Sequence, residues 1–186
     1  MPQWPIWLVV AAIVAYAVYL FNQLVRTRQM VNEAWSGIDV QLKRRSDLVP
    51  NLVEAVKGYA AHERGLFAQI TELRNAARAL PQGDVEARAK AEGALNVGLA
   101  KLFALAEAYP DLKASGNFLE LQQELSRIEN DLQMARRYYN GAVRNLNTMV
   151  ETVPSNLIAR PFGFEARNYF ELADAGERAV PTVSLR

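Results

Sequence analysis

Residues 35–59 read WSGIDVQLKRRSDLVPNLVEAVKGY. Apolar side chains recur every three or four positions, through Trp35, Ile38, Leu42, Val49, Leu52 and Val56, which is the period of one buried helix face. Two residues interrupt the pattern. Arg45 falls on the apolar seam, and Pro50 stands inside the run. Pro50 has no N–H to give the carbonyl of Ser46, and its ring crowds that turn, at a cost of ~3 kcal/mol in a helix interior. The seam nonetheless keeps its phase across position 50. The sequence therefore predicts a helix that is kinked at Pro50 and continues. Asp39 with Lys43, and Lys43 with Asp47, are i,i+4 pairs of opposite charge that support the helix just ahead of the defect.

Extended in alternating steps of four and three, the same seam runs back to Leu24. It runs forward through Tyr59, Glu63, Leu66, Ile70, Leu73 and Ala77 to Leu80, where Pro81-Gln82-Gly83-Asp84 is a stop signal. This predicts one helix to Leu80, about 80 Å long from Arg26. Arg45 and Glu63 both lie on its seam, where an unpaired charge is costly. They are about 27 Å apart along the axis, so each needs a partner on another helix. A second helix is predicted from Val85 to Tyr109, ended by Pro110-Asp111. A third is predicted from an Asn117 N-cap, with Glu120 as its capping-box partner, to Pro154. Its seam is Phe118, Leu121, Leu125, Ile128, Leu132, Ala135, Tyr139, Ala142, Leu146, Met149 and Val153. Beyond it, Phe162, Phe164, Tyr169 and Phe170 suit a short helix docking aromatic rings on the bundle. Residues 172–186 read as a flexible tail.

The start of the chain is of another kind. From Trp4 to Phe21 there is no charge and no strong turn former after Pro5. About 18 residues span ~27 Å, close to a hydrocarbon core. Trp4 and Trp7 at one end, with Tyr16 and Tyr19 near the other, suit the two interfaces. Ala15-Tyr16-Ala17 resembles a signal-peptide cleavage pattern, but no basic residue precedes the run and the apolar residues continue past it. An uncleaved anchor over residues 1–25 is the better reading. Basic residues follow the segment at Arg26, Arg28, Lys43, Arg44 and Arg45 and none precedes it, which places the N-terminus outside and the remainder in the cytoplasm. The fold expected is all-α: an N-terminal transmembrane helix running into an elongated antiparallel bundle of three long helices over 26–171, with a short C-terminal helix.

Composition excludes several chemistries. A net charge of +1 gives no field to attract nucleic acid, and the chain has no cysteine and one histidine, His62. His62-Glu63 would begin an H-E-x-x-H zinc motif, but Leu66 occupies the second histidine position. A di-iron bundle requires Glu-x-x-His pairs that one histidine cannot supply. No Gly-rich phosphate loop is present. No catalytic, metal or cofactor site is expected. Lys43-Arg44-Arg45 is not a lipid-binding face, because successive helical residues point about 100° apart and the run lies ~26 Å past Arg26.

Arg44, Asp47 and Asn51 form a polar stripe on the far side of the helix from the Leu42–Val49 seam. The commoner fate of such a stripe is solvation. It also crosses the Pro50 defect, where the Ser46 carbonyl lacks a donor. The third helix offers Arg136, Asn140 and Asn147 at helical spacing. The stripe is therefore a candidate second interface, either internal, with Arg136 or Asn140 approaching Asp47 or Asn51, or to another molecule.

The stretches VNEAWSGIDVQLKRRSDLVPNLVEAVKGYAAHE, EAYPDLKASGNFLELQQEL and ARRYYNGAVRNLN, in this order, resemble the LemA family of bacterial membrane proteins. Leu146, Val153 and Tyr169 depart from the Tyr, Phe and Phe usual there. The resemblance implies a single-pass protein with a helical domain and no agreed biochemical activity. Family members are often linked to membrane zinc-peptidase proteins and to small TPM-type domains, and a magnetosome-associated branch exists. The expectation is a scaffold or adaptor in the bacterial inner membrane, binding other membrane or envelope proteins, a membrane zinc peptidase among the candidates, and able to form a homo-oligomer. The alternative is a regulatory subunit of a membrane protease or an envelope-stress system.

Overall fold

The computed structural model describes residues 3–81 and 83–171; the predicted tail, 172–186, lies outside them. Among the described residues there are six helices and no strand: α1 Trp4–Lys57, α2 Arg64–Ala79, α3 Val85–Glu107, α4 Pro110–Lys113, α5 Gly116–Glu151 and α6 Asn156–Ala159. The described residues form two compact units, 3–40 with 132–169, and 41–131 with 170–171.

Helix α1 passes through Pro50 without ending. The proline is exposed, so its ring displaces nothing from the core. The single helix expected to reach Leu80 is not formed. It ends at Lys57, and six residues, 58–63, separate it from α2. Gly58 starts the break, Ala60 is buried in it, and the Tyr59 and Ala60 amides both return to the Val56 carbonyl. The sequence hid this break because Val56 and Ile70, the buried seam residues on either side of it, are fourteen positions apart, close to four helical turns, so the seam of α2 stays in step with that of α1. Tyr59 and Glu63, counted on the seam, are exposed in the connection. Arg26 to Lys57 spans about 48 Å, in place of the 80 Å expected.

In the second unit, Val49, Leu52, Val53 and Val56 of α1 pack with Phe67 and Ile70 of α2, Leu95, Leu99 and Leu102 of α3, and Phe118 and Leu125 of α5. Gly98 permits the close approach of α2 and α3. A Cβ there would stand 3.3 Å from Leu73 Cδ1 and 3.4 Å from Ile70 Cγ1. Helix α5 begins at Gly116, so Asn117 lies inside its first turn and is not its cap. Pro110-Asp111, expected to end the second helix, instead opens the single-turn helix α4, with Pro110 at its start and Leu112 fully buried. Proline fits the first helical position, where its missing N–H is not needed.

In the first unit, α1 and α5 run antiparallel. Trp35 meets the Tyr139 ring at 5.4 Å between centroids, and Thr27 Oγ1 lies 3.4 Å from Met149 Sδ. The aromatic segment after α5 contains only the single turn α6, and 164–171 has no regular secondary structure. Phe164 and Phe170 are buried, whereas Phe162 and Tyr169 are exposed.

A buried arginine network and the candidate interaction face

Arg45 is entirely buried. In the second unit it reaches two other helices. Its Nη2 donates to Asn96 Oδ1 at 2.7 Å and its Nη1 to Glu92 Oε2 at 3.3 Å, both on α3. Its Nε lies 2.9 Å from Glu129 Oε1 on α5. An arginine on an apolar seam is tolerated because its planar, five-donor head is met on several sides. Glu92 is itself buried, and Arg88, one turn earlier on α3, donates from Nη1 to the Ala77 carbonyl at the end of α2. Burial pushes the Glu92 carboxyl above its ordinary range. Arg45 and Arg88 pull it back, and Glu129 adds to the rise. Two arginines and two glutamates thus balance one another in a poorly solvated space.

The defect at Pro50 is resolved by an arginine that the sequence reading did not single out. Arg74 Nε, on α2, donates to the Ser46 carbonyl at 2.6 Å. One turn further on, Arg78 Nη1 lies 3.2 Å from Asp47 Oδ1. Arg44 faces Asp131 of α5 at 3.9 Å, a half-exposed and weak pair. Asn51 is exposed. The stripe Arg44, Asp47, Asn51 is therefore bordered by Arg78 and Asp131. Arg136 and Asn140 do not belong to this unit. They lie half-buried in the first one. Glu63 stands exposed at the N-cap of α2.

Asn147 has a different setting. Its Nδ2 donates to the Arg167 carbonyl at 3.0 Å, and its Oδ1 accepts from the Arg167 N–H at 2.8 Å. Two turns earlier on α5, the Tyr139 hydroxyl donates to the Asn168 carbonyl at 3.0 Å. Burial raises the Tyr139 pKa, with Arg167 opposing, so the phenol keeps the proton it donates. These side chains hold the 167–168 segment by its backbone, in cis.

Glu92, Asn96, Glu129, Arg74 and Arg78 were missed in the sequence. A signal existed for two of them. Arg88, Glu92 and Asn96 are spaced four apart on α3, on a face shared with Leu95 and Leu99, and a buried Arg45 demands acids at such positions. Among the described residues no group of three metal-ligating side chains comes together.

The LemA family model matches residues 34–185. This chain belongs to the LemA family. It is 27% identical over 174 residues to the protein LemA of Metamycoplasma hominis, covering 89% of this chain and 75% of that one. It is 25% identical over 200 residues to magnetosome protein MamQ 2 of Paramagnetospirillum magneticum, covering 95% and 74% respectively. With MamQ of Magnetospirillum gryphiswaldense it shares 22% over 189 residues, 89% of this chain and 70% of the other. The family match begins at Ala34 and so leaves out the apolar start of α1, the one described helix long and apolar enough to cross a membrane. This LemA-family chain is thus an all-helical, membrane-associated protein with a candidate N-terminal transmembrane helix.

Proposed function

We propose that this LemA-family protein is a membrane-anchored scaffold or adaptor of the bacterial envelope, with its N-terminus outside and its helical domain in the cytoplasm. The observation that carries the reading is a contrast along one helix. The start of α1 leaves Trp4, Ile6, Trp7, Ile13, Val14, Val18 and Tyr19 more than half exposed, whereas Arg45 on the same helix is matched within the fold. The first part asks for lipid and the second stabilises a specific helix arrangement. Met134 and Tyr138, one turn apart on α5, are 55% and 53% exposed and offer an apolar surface to a partner protein. The exposed stripe of Arg44, Asp47 and Asn51 offers a polar one. That relatives are magnetosome proteins by name supports a role in organising membranes or their proteins, with no catalysis of its own.

Photo-crosslinking from position 138 in native membranes, followed by mass spectrometry, tests the adaptor role. A reproducible protein adduct is expected. A membrane zinc peptidase or a second copy of the chain would each be recognised by mass. The alternative, a regulatory subunit of a membrane protease, predicts that deletion changes substrate half-lives. No adduct together with unchanged half-lives overturns both. Orientation is tested by cysteines at Ala61 and Lys113, both exposed. They should resist an impermeant thiol reagent in intact cells and label after lysis. Labelling in intact cells places the domain outside.

A further inference from the structure

Where α1 leaves its apolar run, it is met by the chain's C-terminal segment. Phe21 packs edge-on against Phe162 and Phe164, at 5.0 and 5.8 Å between ring centroids. Leu24, fully buried, packs with Ala159 and Phe164, flanked by Met149, Val150 and Ile158. Around this small core three large apolar side chains are exposed. Val153 is 74% exposed, Leu157 66% and Phe162 59%. Water is a poor solvent for three large apolar groups so close in sequence, and isolated exposed residues do not cluster this way. From Val153 to Gly163 the sequence VPSNLIARPFG holds one charge, Arg160, which is basic and exposed.

The position of this patch along α1 indicates what covers it. The apolar run from Trp4 to Phe21 is about 27 Å long, slightly less than a ~30 Å hydrocarbon core. A short span is accommodated by drawing the flanking residues toward the bilayer. Phe21 is then at the hydrocarbon boundary, and the Phe162 ring in contact with it is at the same depth. Apolar groups with an adjacent arginine are the chemistry of the headgroup boundary, where the rings enter the acyl region and a cation meets lipid phosphate.

We propose that residues 153–162 form a second, monotopic membrane contact, in which Val153, Leu157 and Phe162 insert into the interfacial layer of the same bilayer leaflet that α1 leaves and Arg160 faces the phosphates. The proposal rests on the reading that Trp4–Phe21 spans the membrane, and it deepens that reading: the first unit is held at the bilayer at two points, which fixes its tilt and not only its attachment.

The chain has no cysteine, so single cysteines can be placed without background. Val153, Leu157, Phe162, Ile13 and Val97 are each replaced by Cys in the full-length protein and labelled with an environment-sensitive fluorophore. Each protein is reconstituted in phosphatidylethanolamine–phosphatidylglycerol vesicles, with and without lipids brominated on the acyl chain near the headgroup or near the terminal methyl. Val97, on α3 and 58% exposed, reports the aqueous case. Labels at 153, 157 and 162 should be blue-shifted relative to 97 and quenched several-fold more by shallow than by deep bromines. The label at 13 should be quenched more by deep bromines. If 13 is quenched while 153, 157 and 162 match 97, the anchor stands and the second contact is overturned, leaving the patch as a protein-docking surface. If 13 also matches 97, the spanning reading fails and the proposal falls with it. Circular dichroism on each labelled protein confirms that the helices persist.

Discussion

Arg74 Nε donates to the main-chain oxygen of Ser46 at 2.6 Å, the carbonyl that Pro50, four residues later, leaves without a helical donor. A defect in α1 is thereby turned into a specific contact with α2. An unsatisfied, part-buried carbonyl costs on the order of 1–3 kcal/mol, so Arg74→Ala should lower stability by about that amount in chemical denaturation. Pro50→Ala restores an N–H to the turn and should be stabilising by itself. In the double variant, the loss caused by Arg74→Ala should largely vanish. Purely additive effects would show that Arg74 matters for another reason.

Removing Arg45 leaves Glu92 buried beside its remaining charges. Arg45→Ala should cost roughly 3–5 kcal/mol, as expected for breaking a buried pair. Arg45→Met combined with Glu92→Met removes both charges with little change in volume. That pair should be far milder than the single arginine deletion, as measured by urea titration of the detergent-solubilised protein.

Burial holds the Glu92 pKa above its ordinary value, so the folded chain binds this proton more tightly than the unfolded chain. Its contribution to stability is fully present below the unfolded value, about 4.3, and is lost as pH rises through the higher folded value. Glu92→Gln lacks this titration. The melting temperature of the variant minus that of the parent should therefore move in the variant's favour from pH 4 to pH 7. Movement the other way would mean that attraction to Arg45 and Arg88 outweighs burial.

Asn147 grips the Arg167 backbone through both its donor and its acceptor. Asn147→Ala should release the segment around Arg167 without unfolding the helices. Limited proteolysis after Arg167 should become markedly faster, while the helical signal in circular dichroism changes little. Asn147→Asp retains the acceptor for the Arg167 N–H and loses the donor to its carbonyl, so it should fall between the parent and Asn147→Ala.

The helices themselves were legible in the sequence because burial of one face imposes a period on the residues that form it. That period marked α3 and α5 nearly to their ends and carried α1 correctly through Pro50. It also required that something meet the charge of Arg45. What it could not convey is chain direction. The amphipathic pattern is the same whether the chain continues or reverses, and the fourteen positions from Val56 to Ile70, close to four turns, left the seam in step across Gly58–Glu63. The reversal is what brings α2 back along α1. It places Arg74 on Ser46 and Arg78 on Asp47, where α5 had been expected to supply the partners. Arg136 and Asn140 lie beside a different part of α1 because antiparallel pairing fixes the level at which each residue of α5 arrives, as Trp35 against Tyr139 shows. The partner expected for Glu63 is not required, because Glu63 is exposed where the helix breaks. Sequence alone thus determined which faces are apolar, where a membrane segment fits and that Arg45 needs compensation. The tertiary structure decided which residue provides it, because partners distant in sequence are set by turn position and helix register, and neither leaves a periodic trace.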